Sequence, residues 1–94
     1  MIINGNIDLS ACENLKTIKE ITKINGFLNL AGCVNLETLG DLEEIEGDLI
    51  LINCFSLKSL GNLKQVKKVI KIYKSGFITK RNMKDFKKFN FENG

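Results

Sequence analysis

The stretch from Ile24 to Glu44 occurs three times in register. Shifted back by 21 positions it falls on Ile3 to Lys23, and shifted forward by 21 it falls on Ile45 to Gln65. A fourth, decaying copy begins at Val66. Few folds are compatible with so short and regular a period. A 21-residue unit cannot bury an apolar face alone, so successive units must stack and share a continuous core.

The columns of the repeat give the shape of each unit. The opening column is Ile3, Ile24, Ile45 and Val66, followed by Gly5, Gly26, Gly47 and then Lys68. Ile7, Leu28, Leu49, Ile70 and Leu9, Leu30, Leu51, Ile72 form an L-x-L pair. Its period of two reads as a short strand with alternate side chains inward. Behind it, a cysteine column (Cys12, Cys33, Cys54, then Ser75) leads into Leu15, Leu36, Leu57, Ile78 and two further apolar columns at spacings of three. Period three suits turns and an extended or 3₁₀-like return arc better than a full α-helix. The expected unit is one strand of a parallel sheet plus one return arc. Asn14, Asn35 and Ser56 favour the turns near the cysteines, and Gly40 and Gly61 mark a second corner. Thr17, Thr38 and Ser59 form a hydroxyl column placed to bridge neighbouring coils.

These residues resemble the leucine-rich repeats, through Ile7-x-Leu9-x-x-Cys12, Leu28-x-Leu30-x-x-Cys33 and Leu49-x-Leu51-x-x-Cys54. Two features depart from that pattern. The family's opening leucine falls on Asn4, Asn25 and Glu46, and the leucine after the cysteine comes three positions on instead of two. The I-x-G-x-L-x-L start is also similar to the L domains of growth-factor receptors. The resemblance implies an α/β, mostly β, right-handed parallel solenoid of about four coils. The coils are 3–23, 24–44, 45–65 and 66–79, within a solenoid unit spanning 1–79. It also implies that the outward face of the sheet meets protein partners.

The two ends read differently. Met1 and Ile2 lead straight into the first repeat, which leaves an open strand edge available for pairing. At the other end, residues 80–94 are expected to form a cap and tail. Thr79 is the N-cap of a helix over about 80–89, and Met83 and Phe86 cover the last coil, helped by Phe77, Phe89 and Phe91.

Several functions are disfavoured. The chain has no histidine, hence no imidazole base or ligand. The Gly5, Gly26, Gly47 column recurs once per coil and does not make a phosphate loop. The three cysteines stand in one straight column, which does not supply a tetrahedral zinc site, so they read as small buried side chains. No catalytic constellation is visible and no cofactor or metal is expected. Glu43, Glu44, Glu46 and Asp48 read as a solvated arc. An odd cysteine count, with no basic segment leading into an apolar one at the N-terminus, suggests reduced thiols and a cytoplasmic location. No apolar run is long enough to span a bilayer.

Charge is uneven. Lys64, Lys67, Lys68, Lys71, Lys74, Lys80, Arg81, Lys84, Lys87 and Lys88 face one acid, Asp85, whereas residues 1–63 hold four lysines and nine acids. With one arginine and one tyrosine, the basic half argues against nucleic acid.

If the L-x-L residues point inward, their neighbours form an outward face. Its apolar members are Phe27, Ile50, Ile52, Val69 and Tyr73, with Ile52 and Tyr73 near a turn. An apolar patch on a solvent-facing sheet marks an interaction site. The expected contact residues are Phe27, Asn29, Asp48, Ile50, Val69, Lys71 and Tyr73. The expected function is non-catalytic protein–protein recognition, as an inhibitor or adaptor of a host or cellular factor. The alternative is a self-assembling subunit that stacks through the open first strand and the basic C-terminal end into a homo-oligomer.

Overall fold

The computed structural model describes residues 1–76 and 88–93. The chain winds as a mostly-β parallel solenoid of about four turns. Each coil contributes two short strands, not the single one expected. In the first coil these are β1 (Ile2–Asn4) and β2 (Ile7–Asp8), and in the second β3 (Lys23–Asn25) and β4 (Leu28–Asn29). The third coil gives β5 (Glu44–Ile45) and β6 (Leu49–Ile52), and the fourth β7 (Gln65–Val66) and β8 (Ile70–Tyr73). The glycine column is the corner between the two strands. A Cβ on Gly47 would lie 2.8 Å from both the Gly26 carbonyl carbon and the Phe27 nitrogen, so only a bare backbone passes there.

Two parallel sheets result. The side sheet runs β1-β3-β5-β7 and the front sheet β2-β4-β6-β8, extended by β9 (Phe91–Asn93). Every step is 21 residues: Ile3 pairs with Ile24, Ile7 with Leu28, Leu28 with Leu49, Leu49 with Ile70 and Ile70 with Phe91. The return arc carries one parallel bridge, Thr38 to Ser59, whose hydroxyls lie 3.3 Å apart as the hydroxyl column suggested. Each of these hydroxyls also accepts a backbone N–H at the next corner, from Gly40 and Gly61 respectively.

The core is the stack of repeat columns. Ile24, Leu28, Leu30, Leu36, Leu39 and Leu42 of the second coil are fully buried, as are their successors Ile45, Leu49 and Leu51. At roughly 25 cal/mol per Å² of apolar surface, this shared burial is what makes a thin coil stable. The first coil lacks a neighbour on one side. Ile3, Ile7, Leu9, Cys12, Leu15 and Ile21 pack on the core but stay partly exposed.

Beyond Leu9, Leu30, Leu51 and Ile72 the chain leaves each strand through a left-handed residue. These residues are Ala11, Gly32, Asn53 and Lys74, with φ of 60°, 77°, 59° and 49°. Two successive tight turns follow, in which Cys12 N–H donates to Leu9 C=O and Leu15 N–H to Cys12 C=O. The same pair recurs at Cys33.

No helix occurs among the described residues, and none is long and apolar enough to cross a membrane. The cap helix expected over 80–89 falls mainly outside the described residues. Its described end, Lys88 and Phe89, is a turn and bend. The tail then adds a fifth strand to the front sheet. Phe91 takes the place 21 positions after Ile70, and Phe89 is buried against the core. The two rings meet edge to face, with centroids 6.3 Å apart.

Candidate functional site

The front sheet has a packed face and an outward face. Along β6 and β8 the residues alternate, with Leu49, Leu51, Ile70 and Ile72 buried and Ile50, Ile52, Lys71 and Tyr73 outward. Pairing places Asp8, Asn29, Ile50, Lys71 and Glu92 side by side in one row across all five strands. A second row, just before the strands, holds Asn6, Phe27, Asp48 and Val69. A third holds Ile52 and Tyr73, which pair in register inside β6 and β8 and not on a turn. Ser10 and Ala31 lie beyond the ends of the shorter β2 and β4.

All seven expected contact residues therefore lie on this one face. Tyr73 is exposed at 45%, and Phe27, Asn29, Asp48, Ile50, Val69 and Lys71 are half-buried by their neighbours. The Lys74 ammonium sits 5.3 Å from the Tyr73 ring centroid.

The polar members of the face also have backbone roles. Asp48 Oδ1 accepts the Val69 N–H of the next coil at 3.2 Å, and Asn6 Oδ1 accepts the Phe27 N–H at 2.9 Å. Asn29 and Asp8 each accept the N–H two residues on, from Ala31 and Ser10. Bonds from the Ser10 hydroxyl and amide hold the Asp8 carboxyl below its ordinary range. Asp8 thus places a fixed negative charge on the open edge of the sheet, a device that discourages strand pairing there.

A shallow groove of about 320 Å³ follows the glycine column beside this face. Asn6, Phe27 and Asp48 line one side, Asn25 and Glu46 the other, and Lys68 also borders it. Of the acids expected to be solvated, Glu43, Glu44 and Glu46 are paired with lysines across coils. Lys23 lies 3.6 Å from Glu44 and 3.4 Å from Glu46, Lys67 is 2.8 Å from Glu46, and Lys64 is 2.9 Å from Glu43. Lys67, then Lys23, hold the Glu46 carboxyl below its ordinary value. Part of the basic half is thereby neutralised by the acidic coil before it.

The cysteine column is structural. Cys33 Sγ donates to the Leu9 carbonyl and Cys54 Sγ to the Leu30 carbonyl, each at 3.1 Å, and Ser75 Oγ donates to the Leu51 carbonyl in the same place. A small donor-bearing side chain is needed wherever this strand-end carbonyl is buried. Burial pushes the Cys54 thiol up to about 11, so it holds its proton at neutral pH and is a poor nucleophile.

One exposed aromatic was not singled out by sequence reasoning. Phe55, 56% exposed, occupies the turn after Cys54, in a column otherwise filled by Glu13, Val34 and Gly76. Its one signal in the sequence is that break in column character. Among the described residues no three His, Cys, Asp or Glu side chains converge on a point that would hold a metal ion. Searches with this chain found no matching family model, curated protein or solved structure.

Proposed function

We propose that this chain is a non-catalytic protein-recognition module, leucine-rich-repeat-like in its use of a solenoid, that binds a protein through the outward face of its front sheet. One observation carries the reading. Phe27, Ile50, Ile52, Val69 and Tyr73 crowd one solvent-facing side of a continuous five-stranded sheet whose packed side is already filled. Apolar side chains on an outward face contribute nothing to the core, and a contiguous set of them marks a contact surface. An inhibitor or adaptor working in the cytoplasm fits such a surface.

The test is a pull-down from lysate with the wild type beside a Phe27→Asp, Ile50→Asp variant that melts cooperatively. A protein retained by the first and lost by the second supports the face. Equal retention by both contradicts it, as does no retention by either from a chain that also stays monomeric.

A second reading is end-on self-assembly through the first coil, favoured by the partly exposed Ile3, Ile7, Leu9, Leu15 and Ile21. The charge of Asp8 on that edge weighs against it. Asp8→Asn would raise the associated fraction if the end is the contact surface, and would not raise it if the face is.

A further inference from the structure

We propose that the front face is self-complementary and that its partner is a second copy of this chain. This rests on the reading of that face as the recognition surface and names what covers it. The middle row runs Asp8, Asn29, Ile50, Lys71, Glu92 across adjacent strands. Two such faces brought together by a twofold axis along the strands keep their rows and reverse their coil order. With the axis between β4 and β6, Asp8 of each copy faces Lys71 of the other. Two opposite-charge pairs then flank the centre of the contact.

Other arrangements lose this match. Moving the axis onto β6 sets Asp8 against Glu92. An axis along the solenoid sets Asp8 against Asp8 and Lys71 against Lys71. Like charges facing each other are costly and exclude a register.

Side-chain size matches in the same arrangement. The first two coils present small groups, Ser10 and Ala31, at the end of the third row. The next two coils present large ones, Ile52 and Tyr73. Reversing coil order puts Ala31 opposite Ile52 and Ser10 opposite Tyr73, so bulk meets space. Asn29 meets Ile50, Asn6 meets Val69 and Phe27 meets Asp48. Among the described residues the tail does not obstruct this contact, because β9 continues the sheet sideways.

Four overlapping strands at about 4.8 Å, with three outward rows spanning five residues at about 3.3 Å each, give a face of roughly 19 by 16 Å. That is well short of the roughly 800 Å² per partner of a standard interface. The dimer is therefore weak and in exchange. Added salt weakens it, since its register depends on partly exposed ion pairs.

Sedimentation equilibrium at low salt, from about 10 µM to about 2 mM, tests this with four proteins. Wild type rises from the 10.6 kDa monomer toward twice that mass. Lys71→Asp weakens association about tenfold or more, by setting acid against Asp8. Asp8→Lys does the same by setting lysine against Lys71. The double variant Asp8→Lys, Lys71→Asp restores opposite signs and recovers the wild-type curve. Ile52→Arg, which leaves Asp8 and Lys71 in place, also loses association and guards against misfolding of the Asp8 variants, whose Ser10 N–H bond is lost.

Wild type that stays monomeric at the highest concentration overturns the proposal. So does Lys71→Asp associating as the wild type does, or a folded double variant that fails to recover. A monomeric wild type whose front face still captures a protein in the pull-down removes the second copy and leaves the recognition reading standing.

Discussion

At the scale of single residues, coil spacing is set by what cannot be present as much as by what is. Gly47 has no side chain because the preceding coil's backbone occupies that space, with contacts of 2.8 Å to a hypothetical Cβ. Those neighbours are main-chain atoms with no rotamer to change. Gly47→Ala should therefore destabilise the fold by about 2 kcal/mol or more, read as a lower urea midpoint with an unchanged slope. Glu46 works in the opposite way, by joining coils. Its carboxyl lies below the ordinary 4.5 because Lys67 and Lys23 hold it ionised. A depressed acid contributes stability above its unfolded value, and that contribution disappears as pH falls through the folded value. The melting temperature should drop as pH falls below about 4.5, and Glu46→Gln should have a lower melting temperature at pH 7 and a shallower acid limb.

At the scale of the element, the repeat is legible where one column means one environment. The L-x-L strand, the cysteine column and the hydroxyl bridge follow from spacing, because stacking forces equivalent residues into equivalent contacts. What spacing leaves out is where the backbone bends. Ile24-Asn25-Gly26-Phe27-Leu28 reads as a continuous approach to one strand, yet Gly26 is a corner with a separate strand on each side. The left-handed corner is filled by Ala11, Gly32, Asn53 and Lys74, which share no chemistry, so no column preference reveals it. At the C-terminal end the apolar columns fail after Ile78, yet Phe91 still stands 21 positions after Ile70 and resumes the strand. A single surviving column is a weak signal beside an amphipathic pattern that favours a helix. Phe89 holds this last element down, buried beside Leu60 and Leu63 and in edge contact with Phe91. Phe89→Ala should cost about 3 kcal/mol and raise hydrogen exchange first at the amides of β8 and β9.

At the scale of the whole molecule, the solenoid separates its tasks by direction. The columns point inward and hold the stack together, while ion pairs run along the axis from one coil to the next. The outward face of the front sheet adds coil-to-coil bonds from Asn6 and Asp48, and there the sequence places bulky apolar groups beside charged ones. The expected contact residues were found together because a strand's period of two divides inward from outward without ambiguity. The backbone duties of Asn29 and Asp48, and the exposure of Phe55, depend on turn geometry that spacing does not encode.

The account's central claim is that this face is the surface used for recognition, with a second copy as its partner. ¹H–¹⁵N correlation spectra of the wild type between about 20 µM and about 1 mM test it most directly, the range following from the small interface area. The predicted result is a set of shifts at Asn29, Ile50, Ile52, Lys71 and Tyr73 that follow one saturation curve, with the side sheet unmoved. Spectra that do not change with concentration, or changes confined to Ile3, Ile7, Leu9 and Leu15 at the open end of the first coil, would contradict it.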